Sequence, residues 1–180
     1  GGEPYQKGID LALIALNELR KEHQIKINIS IFGMSSTNSF RAKLKKTTSK
    51  DYRDCINIID QFQKFDWVHF YDFSINRDLI FKDKDLLLFT TRLNAPGRPV
   101  LEASFYGVPS LYCTNLKVKS CFNLVSSSCT SDVTSIKKTI LKMITGSLFV
   151  PSQIDFQNII RQHSHKVQHK VLENVYGVKK

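Results

Sequence analysis

The residues best suited to chemistry lie in one short segment, residues 92–103, which combines basic, acidic, glycine and proline positions. Gly97 would let a ligand approach the backbone closely, and Pro99 suits the first turn of a helix, where a missing N–H costs nothing. Free backbone N–H groups at such a helix start, aided by the helix dipole, bind anions such as phosphate. The N–H groups concerned belong to Arg98, Val100 and Leu101. About one turn further, the Glu102 carboxylate could accept two hydrogen bonds from a ribose diol.

The elements around this segment place it where open α/β sheets bind ligands. Residues 86–89 form a wholly apolar run between charged residues, which is typical of a buried parallel strand. Residues 99–106 predict a helix, and Gly107 follows where a helix end favours a left-handed residue. The segment therefore joins the carboxyl end of a strand to a helix. Ordinary strand–loop–helix joints use the same residue types, so a purely structural role stays open.

The remaining pattern alternates strands and helices, which predicts an α/β fold: a Rossmann-like parallel sheet with helices on both faces. Helices are predicted at residues 7–22, 51–65, 75–82 and 132–144, with a C-terminal helix at about 151–176. Strands are predicted at residues 26–32, 67–71 and 108–113. Residues 34–50 and the serine run 126–128 are predicted to be loops. The length of 180 residues favours a single domain, residues 1–180.

Composition indicates a globular chain with an affinity for anions. The chain is 42% hydrophobic and 23% charged, and no run approaches the roughly 20 apolar residues of a membrane span. The N-terminus does not resemble a signal peptide, so we expect a cytoplasmic protein. The formal charge of +10 favours phosphate, anionic lipid or nucleic acid as partners. The cysteines are too widely spaced for a zinc site and are expected to be free thiols; they are Cys55, Cys113, Cys121 and Cys129.

Two other clusters offer weaker alternatives. A basic run could grip nucleic acid or place the chain at the periphery of an anionic membrane; it comprises Arg41, Lys43, Lys45, Lys46 and Lys50. A solvated loop is the favoured explanation of the run, and nucleic acid is not favoured because no RNA-binding motif accompanies it. His165 and His169 share a helical face, but the neighbouring Lys166 and Lys170 would repel a cation, so no metal site is expected.

Residues 97–109 resemble the donor-site signature of retaining GT-B glycosyltransferases, the group 1 glycosyl transferase family. In that family a strand ends in Pro-Ser-Arg-x-Glu and is followed by a glycine-rich turn and a helix that carries a second Glu. Residues 90–94 (Thr-Thr-Arg-Leu-Asn) and Glu102-Ala103 occupy these places. Lys7-Gly8 resembles the family's Lys-Gly helix start, and residues 29–33 resemble its strand-then-glycine element.

The resemblance implies a hexosyltransferase-like enzyme that moves a sugar from a nucleotide sugar to the hydroxyl of a glycan or lipid-linked acceptor. In the family the equivalent of Lys7 binds the donor diphosphate, and the equivalent of Glu102 holds the ribose. The complete set of residues that it implies in nucleotide-sugar binding is Lys7, Gly33, Arg92, Asn94, Gly97, Arg98, Pro99, Val100, Leu101 and Glu102. No residue is assigned as catalytic, Asn94 is a candidate sugar contact, and neither a cofactor nor a metal is expected.

The sequence departs from the family pattern in three ways. Asn94 replaces the first Glu of the signature, so the position cannot carry a charge to steady a cationic transition state. In the family an Arg usually lies a few residues before the Lys, and residues 1–6 of this sequence contain no Arg. We expect the N-terminal acceptor-binding half to be missing from this chain, so that the chain is a piece of a two-domain enzyme and is inactive alone. The alternatives are a non-catalytic nucleotide or sugar-phosphate binder, a basic nucleic-acid-binding domain and, less favoured, a sugar-nucleotide epimerase.

Overall fold

The computed structural model describes residues 3–34, 49–93, 97–114, 126–148 and 151–163. The described helices are α1 (Pro4–Lys7), α2 (Ile9–His23), α3 (Lys50–Phe62), α4 (Arg77–Phe81), α5 (Arg98–Phe105), α6 (Val133–Ile144) and α7 (Gln153–Gln162). The described strands are β1 (Ile29–Phe32), β2 (Val68–Tyr71), β3 (Leu87–Phe89), β4 (Ser110–Cys113) and β5 (Ser126–Cys129). Strands and helices alternate along most of the chain, as the sequence pattern predicts.

Every described strand pair is parallel, and the strands form two sheets. One sheet has the order β1-β2, with Ile29 opposite Val68; the other has the order β3-β4-β5, with Leu87 opposite Ser110. Parallel strands need crossover connections, and α3 between β1 and β2 and α5 between β3 and β4 supply two of them. The predicted α/β class with a Rossmann-like parallel arrangement is confirmed. The division into two sheets was not predicted.

One large apolar core joins the two sheets to α2, α3 and α6. From α2 it takes Leu13, Leu16 and Leu19, which recur at helical spacing and are almost fully buried. α2 packs against both α3 and α6. The other buried members include Ile56, Ile59, Trp67, Leu111 and Ile136. No helix among the described residues is long and apolar enough to cross a membrane.

Local sequence signals explain where several helices begin. Asp132 caps α6, because its carboxylate accepts a hydrogen bond from the Ser135 N–H at 2.7 Å. Ser152 and Asp155 form a reciprocal capping box at the start of α7. Asn76 accepts hydrogen bonds from two N–H groups at the start of α4. These short polar side chains satisfy N–H groups that a helix end leaves without partners.

Several sequence predictions need correction. The helix predicted at 7–22 is two helices, because Gly8 takes a left-handed conformation between α1 and α2. The serine run 126–128 was predicted to be a loop, but it belongs to strand β5, which lies beside β4. Serine has no strong strand preference, and pairing with a buried neighbouring strand overrides it.

Element ends also moved by a few residues, as is usual where helices and strands fray. The strand predicted at 26–32 begins at Ile29, and the helix predicted at 51–65 is shorter at its C-terminal end. Residues 35–48 of the predicted loop, with most of the basic run, lie outside the described residues. The C-terminal helix predicted at about 151–176 is described only as α7, and residues from 164 onward, including His165 and His169, lie outside.

Candidate nucleotide-binding site

The corner between α1 and α2 is bound tightly to the segment that follows β3. The Thr90 hydroxyl donates to the Gly8 carbonyl at 2.8 Å, and the Thr91 hydroxyl donates to the Gln6 carbonyl at 3.1 Å. The Arg92 N–H also donates to Gln6, at 2.9 Å. Both threonines are buried. Two parts of the chain more than 80 residues apart therefore form one rigid unit at the carboxyl end of β3.

Gly8 is required at this corner for two reasons. Its φ of 63° lies in the left-handed region, which side chains other than glycine adopt only at a cost of roughly 1–2 kcal/mol. A Cβ at this position would also overlap the carbonyl oxygen of Thr90. The Lys-Gly pair that the sequence resemblance singles out thus has a steric basis in the contact between two backbone segments.

An ion pair also joins α2 to the segment after β3 at this corner. The Arg92 guanidinium donates to both carboxylate oxygens of Asp10, at 2.9 and 2.7 Å, and also to the Tyr5 carbonyl. Its cationic carbon lies 4.1 Å from the centre of the Tyr5 ring. Burial first, and then the charge and hydrogen bonding of Asp10, raise the pKa of the nearby Cys55 thiol to about 12. Arg92, a predicted ligand-binding residue, thus has its guanidinium committed to protein groups.

Phe89, the last residue of β3, brings two predicted site elements together. The Lys7 ammonium lies 5.7 Å from the centre of the Phe89 ring, within range of a cation–π attraction. A Cβ added at Gly97 would be only 2.5 Å from the Cζ atom of the same ring. Gly97 therefore lets the start of α5 pack directly against Phe89. The result is a lysine ammonium and a helix N-terminus arranged around one aromatic ring.

The start of α5 is only partly open to an anion. Gly97 is the N-cap residue and supplies no side-chain cap, and Pro99 lies in the first turn, as predicted. Arg98 is exposed. The sequence predicts three free N–H groups at this helix start. One of them, the Val100 N–H, instead donates to the Gly97 carbonyl at 3.0 Å. A partial positive charge from the helix dipole remains at this end.

The rest of α5 is anchored in apolar contacts. Val100 is fully buried, and Leu101 packs against Phe156 and Ile159 of α7. Ala103 packs with Phe81 and Val108 in a separate small core. The helix ends as predicted, with Gly107 at a φ of 70° and the Val108 N–H donating to Ala103 at 3.0 Å. These contacts hold the helix N-terminus in a defined place.

Glu102 lies on α5 and is paired with an arginine. Arg77, the first residue of α4, places its Nη2 atom 3.3 Å from one Glu102 oxygen and its Nε atom 3.2 Å from the other. The Glu102 side chain keeps 21% of its surface exposed. The carboxylate that the sequence assigns to a ribose diol is therefore accessible, but it is already in contact with a guanidinium.

The structure thus brings some of the predicted site residues together. Lys7, Gly97 and Arg92 lie around the carboxyl end of β3, and residues 98–102 share α5. Gly33 lies in the turn after β1, where its N–H donates to Asp72 at 3.4 Å, and its described contacts do not reach α5. Asn94 lies outside the described residues.

Sequence reasoning missed the parts played by Phe89 and Arg77. Phe89 ends the apolar run at 86–89, so its place at the carboxyl end of a strand was a usable signal. Arg77 is separated from Glu102 by 25 residues, and no sequence pattern links the two. Its contact depends on how α4 packs against α5.

A lysine and a helix N-terminus lie at the carboxyl end of a parallel strand, and a partly exposed carboxylate follows on the same helix. In general, ammonium groups and helix N-termini bind phosphate, and carboxylates accept hydrogen bonds from hydroxyls. The fold is an α/β arrangement of parallel strands and helices of the Rossmann-like kind. Neither a known protein family nor a curated protein matches the sequence.

Solved structures define the fold more closely. The chain is similar to Alr3699/HepE from Anabaena, solved in complex with UDP, with UDP and glucose, and with UDP-glucose. The TM-scores are 0.57, 0.57 and 0.56, and the sequence identities are 15%, 15% and 14%. The similarity covers 94% of this chain but only 56%, 55% and 56% of the HepE chains, so this chain spans a little over half their length. The fold is that of one Rossmann-like half of a GT-B glycosyltransferase, which confirms the resemblance noted in residues 97–109.

Proposed function

We propose that this chain is the donor-binding half of a retaining, hexosyltransferase-like glycosyltransferase. Its substrate would be a nucleoside diphosphate sugar, and the sugar would pass to a hydroxyl of a glycan or lipid-linked acceptor. The observation that supports the proposal is that the Lys7 ammonium and Gly97, at the N-terminus of α5, both lie against the Phe89 ring. A diphosphate, with its concentrated negative charge, is the natural ligand for such a pair.

The proposed roles follow from the positions of the groups. Lys7, Arg98 and the N-terminus of α5 neutralise the diphosphate, and Glu102 accepts hydrogen bonds from the ribose. Arg92 supports the site by holding the corner in place through Asp10. The remaining proposed contacts are the close-packed backbone at Gly97, the helical turn at Pro99, Val100 and Leu101, the turn at Gly33, and Asn94 against the sugar.

In the proposed reaction the bond between the anomeric carbon and the diphosphate oxygen breaks, and the acceptor oxygen bonds to that carbon. The acceptor hydroxyl passes its proton to the departing nucleoside diphosphate, which leaves with the bonding electron pair. Electrostatic stabilisation of the leaving group is the contribution of this half. A partner half would orient the acceptor and exclude water. The proposal is therefore that this chain binds the donor and that transfer is very slow without the partner half. The proposed location is the cytoplasm, including the cytoplasmic surface of an anionic membrane.

Thermal unfolding with and without UDP, GDP and ADP tests the proposal directly. A ligand that binds the native state raises the unfolding midpoint by linkage, and the stabilisation grows with the logarithm of the ratio of ligand concentration to Kd. We expect one diphosphate to raise the midpoint at millimolar concentration. The shift should disappear in Lys7→Ala and shrink in Glu102→Ala.

Lys21→Ala is the matched control, because Lys21 is an exposed lysine near the opposite end of α2. This variant should keep the full shift, which would exclude a general effect of lost positive charge. If no diphosphate shifts the midpoint of the wild-type chain, or if Lys21→Ala loses the shift as completely as Lys7→Ala, the proposed donor site is wrong.

A non-catalytic nucleotide or sugar-phosphate binder is the second candidate, favoured by Asn94 in place of an acidic residue. Both candidates bind nucleotide, so binding does not separate them. Release or transfer of radiolabelled sugar from a nucleotide sugar by the chain joined to its partner half does: turnover supports the enzyme, and saturable binding without turnover supports the binder.

A further inference from the structure

The pairing between Arg77 and Glu102 uses both carboxylate oxygens. The Nη2 and Nε atoms of Arg77 lie 3.3 and 3.2 Å from the two oxygens, so the guanidinium faces the carboxylate side-on. These distances exceed the roughly 2.7–2.9 Å of the strongest charge-assisted hydrogen bonds. The guanidinium therefore orients the carboxylate without holding it as closely as a structural ion pair does.

Arg77 is itself held in place by its surroundings. Its Nη1 atom lies 3.4 Å from the Ser74 carbonyl. α4 is fastened to α5 by a hydrogen bond of 2.7 Å from the Tyr106 hydroxyl to Asp78, and by Phe81, whose ring lies 5.6 Å from that of Tyr106. The guanidinium thus approaches Glu102 from a helix that is docked on α5.

The arrangement leaves acceptor capacity free on Glu102. A carboxylate has about four lone-pair positions, and a side-on guanidinium occupies about one on each oxygen. About one position remains on each oxygen, which matches the two donors of a vicinal diol. The exposed 21% of the Glu102 side chain makes such an approach possible.

We propose that Arg77 is a positioning residue for ribose recognition: it orients the Glu102 carboxylate so that each oxygen accepts one ribose hydroxyl. The consequence is a preference for ribonucleotides over 2′-deoxyribonucleotides that depends on Arg77. This inference rests on the proposed donor-binding function and adds to it the group that sets the orientation of Glu102.

Calorimetric titration of the whole chain with UDP, GDP and ADP and with their 2′-deoxy counterparts tests the inference. For the diphosphate that binds, we expect wild type to prefer the ribo form by about tenfold, the loss expected when one hydrogen bond to a charged group is removed. In Arg77→Ala the ratio should fall to about one to two, while Arg77→Lys should retain an intermediate ratio. Arg53→Ala, which removes an exposed arginine on α3, should leave the ratio unchanged.

The ratio of affinities is the decisive readout, because a merely structural arginine would weaken both ligands equally. The inference is overturned if Arg77→Ala keeps the tenfold preference. It is also overturned if Arg77→Ala binds the ribonucleotide more tightly than wild type, since Arg77 would then compete with the ribose. Failure of every nucleotide to bind wild type overturns the proposed function itself. Binding to wild type with no ribose preference overturns only the inference.

Discussion

Two arginine–carboxylate pairs flank the candidate site, and they are built differently. Arg92 contacts both oxygens of Asp10 at 2.7 and 2.9 Å, and the Asp10 side chain is only 9% exposed. Arg77 contacts both oxygens of Glu102 at 3.2 and 3.3 Å, where Glu102 is 21% and Arg77 37% exposed. The first pair is shorter and has a nearly buried carboxylate, although its arginine is 23% exposed, and the second pair is longer with both partners partly exposed.

The difference lies in the contact distances and in the exposure of the carboxylates. Asp10 is nearly buried, so breaking its pair with Arg92 leaves a buried carboxylate without its counter-ion. Glu102 and Arg77 can exchange contacts with water or with a ligand, so their pair adds little to folding. Arg92 lies within the signature segment, and its described contacts are with Asp10 and Tyr5.

The largest expected effect is on the buried pair. Arg92→Ala should lower the free energy of unfolding by about 3–5 kcal/mol, because it leaves the Asp10 carboxylate buried and unpaired. Arg77→Ala, the matched removal of an arginine from the open pair, should cost less than about 1 kcal/mol. Urea unfolding of both variants measures the two values. Equal losses would mean that the two pairs are energetically alike and would break the comparison.

A glycine substitution tests the close approach that forms the same corner. Gly8→Ala should lower the free energy of unfolding by about 2–4 kcal/mol. The alanine would be strained at a left-handed φ, and its Cβ would also overlap the Thr90 carbonyl. Gly146→Ala is the control, since Gly146 has a similar φ of 69° but nothing within 4 Å of an added Cβ. It should cost only about 1–2 kcal/mol. Thermal or urea unfolding compares them, and a loss in Gly8→Ala no larger than in the control would show that the corner can relax.

A smaller effect is expected from pH, through the thiol that lies next to the buried pair. The pKa of Cys55 is raised to about 12 by burial and by Asp10, above the usual value of 9.0 for this group. Between these two values the unfolded chain has lost the thiol proton and the native chain keeps it, so stability falls as pH rises. The slope attributable to Cys55 should approach about 1 kcal/mol per pH unit.

Urea unfolding at pH 8, 9 and 10 measures this slope, with Cys55→Ser as the control. Serine can still donate to Asp10 but does not titrate in this range. The difference in stability between wild type and the variant should therefore change with pH in favour of the variant. A difference that stays constant from pH 8 to pH 10 would show that the Cys55 thiol ionises as easily in the native chain as in the unfolded one.

The sequence by itself determined the fold class, the order of most elements and the segment at the carboxyl end of β3. Apolar periodicity in residues 7–22 and the apolar run at 86–89 reflect burial, which the hydrophobic effect imposes locally on each element. Gly97, Pro99 and Gly107 mark the ends of α5, because only particular residues suit those backbone positions. The resemblance in residues 97–109 predicts the glycosyltransferase fold, because these glycine and proline positions are part of the signature.

Only the tertiary structure decided which partner each charged group has. Arg92 pairs with Asp10, and Arg77 with Glu102, across separations of 82 and 25 residues, and neither choice follows from local pattern. The split at Gly8 and the serine strand β5 were likewise decided by contacts with Thr90 and with β4. Hydrogen bonds and ion pairs between distant segments depend on packing geometry at the scale of a few tenths of an ångström, whereas a sequence pattern reports only which face of an element is buried.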